Sequence, residues 1–338
     1  MWEPPTTGGP TLEMNCPVCE CGDGTEACRL HDDRFGYPGS FRLLACRRCG
    51  HRFLDVDFDA GQIDRLYTDY YPRRAYTPGF KPLSFVRGLR GWLRGEASAA
   101  AYWVPPRVRV LDVGCGLGEA LAYYASRDCD AQGVEPDVNV RRVTDSLGLT
   151  VRIGAFEPTA YPPEFFDYVT LNQVIEHVAR PVEILQGIRT VLRTGGQAIV
   201  TTPNARGWGA QTFGARWIHW HAPYHLQHFS LRSMTLAAAR ARLRVRLHRT
   251  ITNPAWTRFQ LIHCVAWRGP GRASPLWSGS NDYTSTERRA VRVASLLSRL
   301  RVIQLTTRVF DVARLGDSHV FVLEAEPRST SAEIRLSR

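Results

Sequence analysis

The stretch VLDVGCGLGEA, Val110–Ala120, closes an apolar run with an acid, Asp112, and follows it with glycines at positions 114, 116 and 118. The β-branched residues before the turn read as a buried strand, and the residues from Glu119 onward read as a helix. Glycine tolerates the positive φ of a tight turn and lets backbone N–H groups approach a ligand, while the following helix presents its positive end to it. GVEPD, Gly133–Asp137, then places an acid, Glu135, at the end of the next strand about twenty residues on, where it can accept hydrogen bonds from ribose hydroxyls. The glycines are spaced G-x-G-x-G and not the G-x-G-x-x-G of nicotinamide dehydrogenases.

The same period continues on both sides of this stretch. RVRVLDVG, DAQGVE, TVRIG, DYVTLN and GQAIVTT read as strands, separated by helices from Glu119, near Val138 and over Pro181 to Leu192. After Ser230 the pattern gives a helix over Leu231 to Arg242, a strand over Leu243 to Ile251 and a last strand near HVFVLEAE. Strands alternating with helices imply βαβ units and a mostly parallel sheet covered on both faces. The expected organisation is a cysteine-rich unit over 12–55, a helical linker or cap over 56–105 ending at Pro105-Pro106, and the sheet domain over 106–251 and 318–327. An insertion over 252–317 is a candidate substrate cap.

The glycine turn with Asp112 and Glu135, together with FDYVTLNQVIEHVARP and VLRTGGQAIVTTPN, resembles the class I S-adenosylmethionine-dependent methyltransferases. The resemblance runs from about Arg107 to Ile251 and resumes at the final strand. It implies an α/β fold with a Rossmann-like seven-stranded methyltransferase sheet, here with a small N-terminal zinc ribbon and helical insertions. Carried over by position, Gly114, Gly116 and Gly118 would hold the methionine moiety of S-adenosylmethionine, with Asp112 near its ammonium, and Glu135 would bind the ribose. Ala155 and Phe156 would border the adenine, although Phe156 also reads as core. Asn172 and Gln173 would line the cofactor beside the sulfonium.

Methyl transfer is an in-line displacement from a sulfonium, so the protein mainly supplies alignment and, where the acceptor holds a proton, a base. PYHLQHFS, Pro223–Ser230, follows the fifth strand, and loops at the carboxyl ends of strands border the ligand crevice of an open α/β sheet. His225 is the preferred base, expected to titrate near neutrality; the alternative is a histidine that anchors the loop, the part given to His228. Glu176 and His177, in VIEHV, form a second polar pair that suits either catalysis or local hydrogen bonding. Tyr70, Tyr71, Trp217, Trp220 and Tyr224 read as an acceptor wall or as core.

Six of the nine cysteines fall within the first 49 residues. The pairs Cys16/Cys19 and Cys46/Cys49, 26 residues apart, put four soft ligands on two tight turns, the arrangement that closes a tetrahedral structural zinc site; Cys21, Cys28, His31 and His51 are the substitutes in the ligand set. A redox dithiol needs only one pair, beside a βαβ pattern that this segment lacks. An N-terminal zinc unit ahead of the methyltransferase pattern resembles the nucleotide-sugar C-methyltransferases of deoxysugar pathways and related polysaccharide or natural-product enzymes. Those C-methyltransferases usually carry a further C-terminal α/β domain that is not seen here, which favours a hydroxyl of a sugar-like or small hydroxylated acceptor.

Composition bounds the remainder. MWEPPTTGGP does not read as a signal peptide and no apolar run reaches the roughly 18 residues of a membrane span, so a cytoplasmic enzyme without a membrane segment is expected. The net charge of +11 is concentrated from Ala241 onward, where 17 arginines face 7 acids. That excess is a solvated basic face, or it meets an anionic surface or a phosphate-bearing small-molecule or glycan acceptor. An rRNA or tRNA methyltransferase is the alternative, disfavoured because LNQV replaces the N/D-P-P-Y/F turn with which amino-methylating enzymes grip a base. A non-catalytic zinc adaptor is a third reading, opposed by the intact glycine turn and Glu135.

Overall fold

A computed structural model describes residues 12–70, 80–278 and 282–326. Strands β1 (Leu12–Glu13), β2 (Asp23–Leu30), β3 (Phe41–Cys46) and β4 (Arg52–Asp55) form an antiparallel ribbon. After helical turns at Ala60–Arg65 and Gly88–Arg94 come β5 (Arg109–Val113), β6 (Asp130–Glu135), β7 (Val151–Ile153), β8 (Phe166–Asn172), β9 (Leu192–Pro203), β10 (Gln227–His228), β11 (Leu243–Ile251) and β12 (Ser318–Ala325).

Seven of these form one sheet in the order β11-β12-β9-β8-β5-β6-β7. The pairs β5–β6, β5–β8, β6–β7 and β8–β9 are parallel, while β12 runs antiparallel to both β9 and β11. The central strands are buried on both faces and therefore read as near-continuous apolar runs, as VLDV and FDYVTL do. Helices close each face: Glu119–Ala125 packs Leu121 and Tyr124 into one core, and Pro181–Val191 and Leu231–Arg240 share the other. Pro181–Val191 begins on a proline that needs no N–H partner, and Leu231–Arg240 is capped by the Ser230 hydroxyl, which accepts from Ser233 N.

The sheet order reverses beside β5: β6 lies to one side and β8 to the other. Ligands in open α/β sheets bind at such a reversal, outside the carboxyl ends of the strands. The Val110–Ala120 turn, the end of β6 and the end of β8 all open there.

The expected strand over 243–251 and the seven-strand count match the structure, whereas β9 begins at Leu192 and runs through the glycine pair at 195–196. The ribbon does not stand apart. Its fifth strand is β10, paired antiparallel with β4 through Gln227↔Phe53 and His228↔Arg52, so the PYHLQHFS loop completes the N-terminal sheet. Cys16, Cys19, Cys46, Cys49, Leu44 and Phe53 share one core with Phe229, Met234 and Ala237 of the large domain. Of the two readings of Trp217, Trp220 and Tyr224, their burial favours core. They are 0–2% exposed; Trp217 and Trp220 pack edge to face at 5.0 Å with Leu30, Phe41 and Leu43 of the ribbon. Trp217 and Trp220 thus join the ribbon to the large domain, while Tyr224 packs edge to face on Phe35 and Tyr67. Tyr71 lies outside the described residues.

Candidate functional site

The glycine turn has the backbone its residues require, with φ of +72° at Gly114, +53° at Gly116 and +86° at Gly118. The three are not equivalent. A Cβ on Gly114 would come within 2.6 Å of Val174 and one on Gly118 within 2.6 Å of Leu149, whereas a Cβ on Gly116 would meet nothing within 4 Å. Gly116 alone faces open space, so it is the position at which a side chain would crowd a ligand. A substitution at Gly114 would strain the fold as well.

A cavity of about 410 Å³ lies above this turn, lined by Asp112, Gly114, Gly116, Glu119, Asn172 and the Ala99–Ala101 segment among others. Asp112 accepts from Thr170 Oγ1 at 2.6 Å, and burial pushes its carboxyl up to about 7. A ligand ammonium beside it would restore the carboxylate. Glu135 accepts from Gly116 N (3.0 Å) and Asp137 N (3.1 Å), so its carboxylate also braces the turn. Asn172 accepts from Ala100 N at 3.0 Å and from Thr201 Oγ1 at 3.1 Å, which fixes it at the cavity wall. Sequence reasoning missed the Ala99–Ala101 wall, because a short 3-10 turn of small residues carries no motif. Phe156 is half-buried, ring against Tyr161 at 6.0 Å, and close to the helix Pro181–Val191 at Gly187.

Beyond Asn172 the chain turns sharply. Gln173 has φ +57°, a sparsely populated conformation for a residue with a side chain, and leads into the 3-10 turn Ile175–His177. In the orientation that satisfies both ends of its amide, Gln173 donates to Glu176 Oε1 at 3.2 Å and accepts from Thr202 N at 3.3 Å. Leu226 N donates to Glu176 O at 2.7 Å, which locks the PYHLQHFS loop onto this turn. The acid and imidazole atoms of Glu176, His177 and His225 converge within 4.8 Å of one another, and the His177 and His225 rings meet edge to face at 4.6 Å.

His225 Nδ1 lies 2.9 Å from His219 O. A carbonyl can only accept, so Nδ1 carries the proton and Nε2 the lone pair. Burial, then the neighbouring His177, holds the His225 imidazole well below its ordinary value, and burial lowers His177 to about 4 and His228 to about 3. The expected titration of His225 near neutrality is therefore corrected: the ring is neutral throughout that range. Glu176 moves the other way. Burial raises it to about 8, and its Oε2 has no hydrogen-bond partner among the described residues.

The four cysteines of the ribbon also converge. Cys16 Sγ is 3.6 Å from Cys49 Sγ and Cys19 Sγ is 3.5 Å from Cys46 Sγ, with all four within 4.8 Å. A tetrahedral zinc with sulfurs at about 2.3 Å separates them by about 3.8 Å, so the set fits that metal. Burial raises the Cys46 thiol to about 12, and a bound cation would reverse that. Of the substitutes, His51 is engaged by Gln227 Oε1 at 2.8 Å and His31 by Arg268 O at 3.0 Å, while Cys21 and Cys28 lie outside the four-sulfur group.

The methyltransferase-domain family profile matches residues 47–248, more than half of the chain. The chain belongs to the methyltransferase family. The S-adenosylmethionine-dependent enzymes of that family are the ones its turn, sheet order and β8 segment resemble. The methyltransferase is 33% identical over 133 residues to the ubiquinone biosynthesis O-methyltransferase of Cupriavidus pinatubonensis, covering 37% of this chain and 51% of that one. It is 30% identical over 172 residues to the protein of the same name from Ralstonia nicotianae, covering 47% and 69%. The matched segment spans about half the length of the curated relatives. Haemonchus contortus phosphoethanolamine N-methyltransferase 2, solved with S-adenosyl-L-methionine, aligns at 16% identity over 82% of this methyltransferase and 62% of that chain, with a TM-score of 0.46.

Glu135→Ala is expected to weaken S-adenosylmethionine binding by roughly 1.5–3 kcal/mol, the range for hydrogen bonds to a charged group. Isothermal calorimetry reads this directly; unchanged affinity would move the ribose contact off Glu135.

Proposed function

We propose that the protein transfers the methyl group of S-adenosylmethionine to a hydroxyl of a small, sugar-like or other hydroxylated acceptor, with His225 as the base. The supporting observation is the fixed tautomer of His225. Its Nδ1–H is committed to the His219 carbonyl, which leaves the lone pair on Nε2 of a ring that has a nitrogen within 4.8 Å of Glu176, on a loop tied by Leu226 to the turn that follows the cavity wall at Asn172. The O-methyltransferase names of the curated relatives point to the same acceptor chemistry.

In this reading Asp112, Gly114, Gly116 and Asn172 of the cavity wall, with Glu135 beside the turn, would hold the cofactor, whose sulfonium would supply an electrophilic methyl. As the acceptor oxygen attacks, its proton passes to His225 Nε2. An imidazolium buried this deeply needs a counter-charge, and the Glu176 carboxylate provides it. His177 is a positioning residue: it donates to the Tyr224 backbone and holds the loop that carries His225. The four-cysteine cluster would hold a structural zinc, with no open position for catalysis.

The test is incubation with methyl-labelled S-adenosylmethionine and candidate hydroxylated acceptors, followed by mass spectrometry; methylation at nitrogen or carbon only would overturn the hydroxyl assignment. The pH profile provides a second check. Turnover should rise with pH through a group near 8, as Glu176 ionises, and show no step at histidine's ordinary value. Glu176→Gln should remove the step near 8 and lower the plateau. A step near 6.5 that persists in Glu176→Gln would contradict the assignment.

A further inference from the structure

Three helices on one side of the molecule turn apolar side chains outward. Val302–Val312 exposes Val302, Leu305, Val309 and Val312, the last two at 67% and 74%, a stripe at helical spacing opposite the face that buries Ile303 and Thr307. Ser285–Arg299 exposes Val293, Leu296 and, just past its end, Leu300, and buries only Glu287 and Ala294 of its own residues. Gly88–Arg94 exposes Leu89 at 70% and Trp92 at 48%.

The three are held together as a unit. Leu300 and Arg301 turn the two longer helices into a hairpin, with Arg301 at φ +63°. Arg308 donates to Trp92 O at 2.6 Å and so pins the shortest helix to the hairpin. Trp208 stacks on Phe310 at 4.7 Å and fastens the hairpin to the body.

The charge around these stripes is mostly positive: Asp282 is an exposed acid just ahead of Ser285–Arg299, and Glu96 is paired with Arg94. Glu287 is turned inward to Arg268 and Asp311 to Arg308. Arg90, Arg289, Arg292, Arg299 and Arg301 are exposed, and none has a carboxylate within ion-pair distance among the described residues. A single leucine on a surface needs no explanation, but adjoining apolar stripes of this extent mark an interaction surface. A second copy of the chain would bring arginine against arginine across a self-complementary contact. An RNA would use the arginines but leave the valines and leucines in water. An amphipathic face with aliphatic residues, one tryptophan and a predominantly basic rim matches a bilayer interface carrying anionic headgroups.

We propose that this face docks on an anionic lipid bilayer, the apolar stripes entering the acyl boundary and the arginines meeting headgroup phosphates. No helix among the described residues is long and apolar enough to cross a membrane, so the contact is peripheral. The segment joining Leu83 to Ala99, both in the wall of the cofactor cavity, contains the docking helix Gly88–Arg94, so the cavity lies next to the docked face.

The experiment is vesicle flotation of the full chain with phosphatidylcholine alone and with added phosphatidylglycerol. The protein should float with the mixed vesicles, stay behind with phosphatidylcholine alone, and detach progressively with salt. Leu305→Glu with Val309→Glu should abolish flotation. Arg299→Gln with Arg301→Gln should weaken it about thirty-fold, the loss of two headgroup contacts. Calorimetric affinity for S-adenosylmethionine should stay unchanged in both variants, which shows that they are folded. Failure to float with either vesicle, equal binding to both, a concentration-dependent doubling of mass in sedimentation that the glutamate variant removes, or retention of RNA without vesicle binding would each overturn the proposal.

Discussion

His225→Ala is expected to lower turnover by roughly 10²–10⁴, the usual loss of a general base, while leaving S-adenosylmethionine affinity near that of the wild type. The split follows from the geometry: His225 sits across the Leu226–Glu176 bond from the cavity wall and is absent from the cavity lining. Truncation also removes the Nδ1 bond to His219 O, so thermal unfolding should be recorded beside the kinetics. His225→Gln retains bulk and a donor but no base; equal losses in the alanine and glutamine variants, with both folded, would identify proton removal as the role. Near-full turnover in His225→Ala with loss in His177→Ala would move the base to the turn after β8. If neither matters, the acceptor is already nucleophilic, as an amine is, and the hydroxyl reading fails.

The second large effect is expected at the ribbon. Cys46→Ser with Cys49→Ser should abolish binding of about one zinc per chain. Structural zinc contributes about 10–16 kcal/mol of apparent binding free energy in small zinc-dependent units, so the ribbon should lose its fold with the metal. The damage should not stop there. Cys46 and Cys49 share a core with Phe229 and Met234, and β4 pairs with the strand that follows His225. The double variant should therefore aggregate and lose turnover even though none of the four clustered ribbon cysteines lines the cofactor cavity. Elemental analysis and activity measured on the same sample check this; a metal-free wild type with a titratable disulfide would favour the redox reading.

The strands and the glycine turn were legible because they depend on local pattern. A run such as VLDV and a turn needing three positive-φ residues are written in adjacent positions, as is the spacing of two CxxC pairs. Three features were not legible, each because it depends on contacts far apart in sequence. Trp217 and Trp220 suited a substrate wall as well as a core until the ribbon was laid against them. The His225 titration could not be placed without knowing that the ring is buried beside His177 and bonded to His219 O. The outward stripes of Val302–Val312 look in sequence like any amphipathic helix, and only the burial of the opposite face shows which side lacks a partner.

The β4–β10 pairing also sets an order of events during synthesis. His51 and Gln227, which meet at 2.8 Å, are 176 positions apart. A ribosome adding about 5–20 residues per second needs on the order of 10–35 s to cover that distance. Throughout that interval the nascent ribbon has six thiols and an unpaired edge strand, and both stay open to the wrong partner. Zinc captured early would protect the thiols, but nothing encoded before residue 227 can supply the native partner of β4. A chaperone that shields edge strands, or slow release of the nascent chain, would therefore raise the yield of folded protein more than added zinc alone.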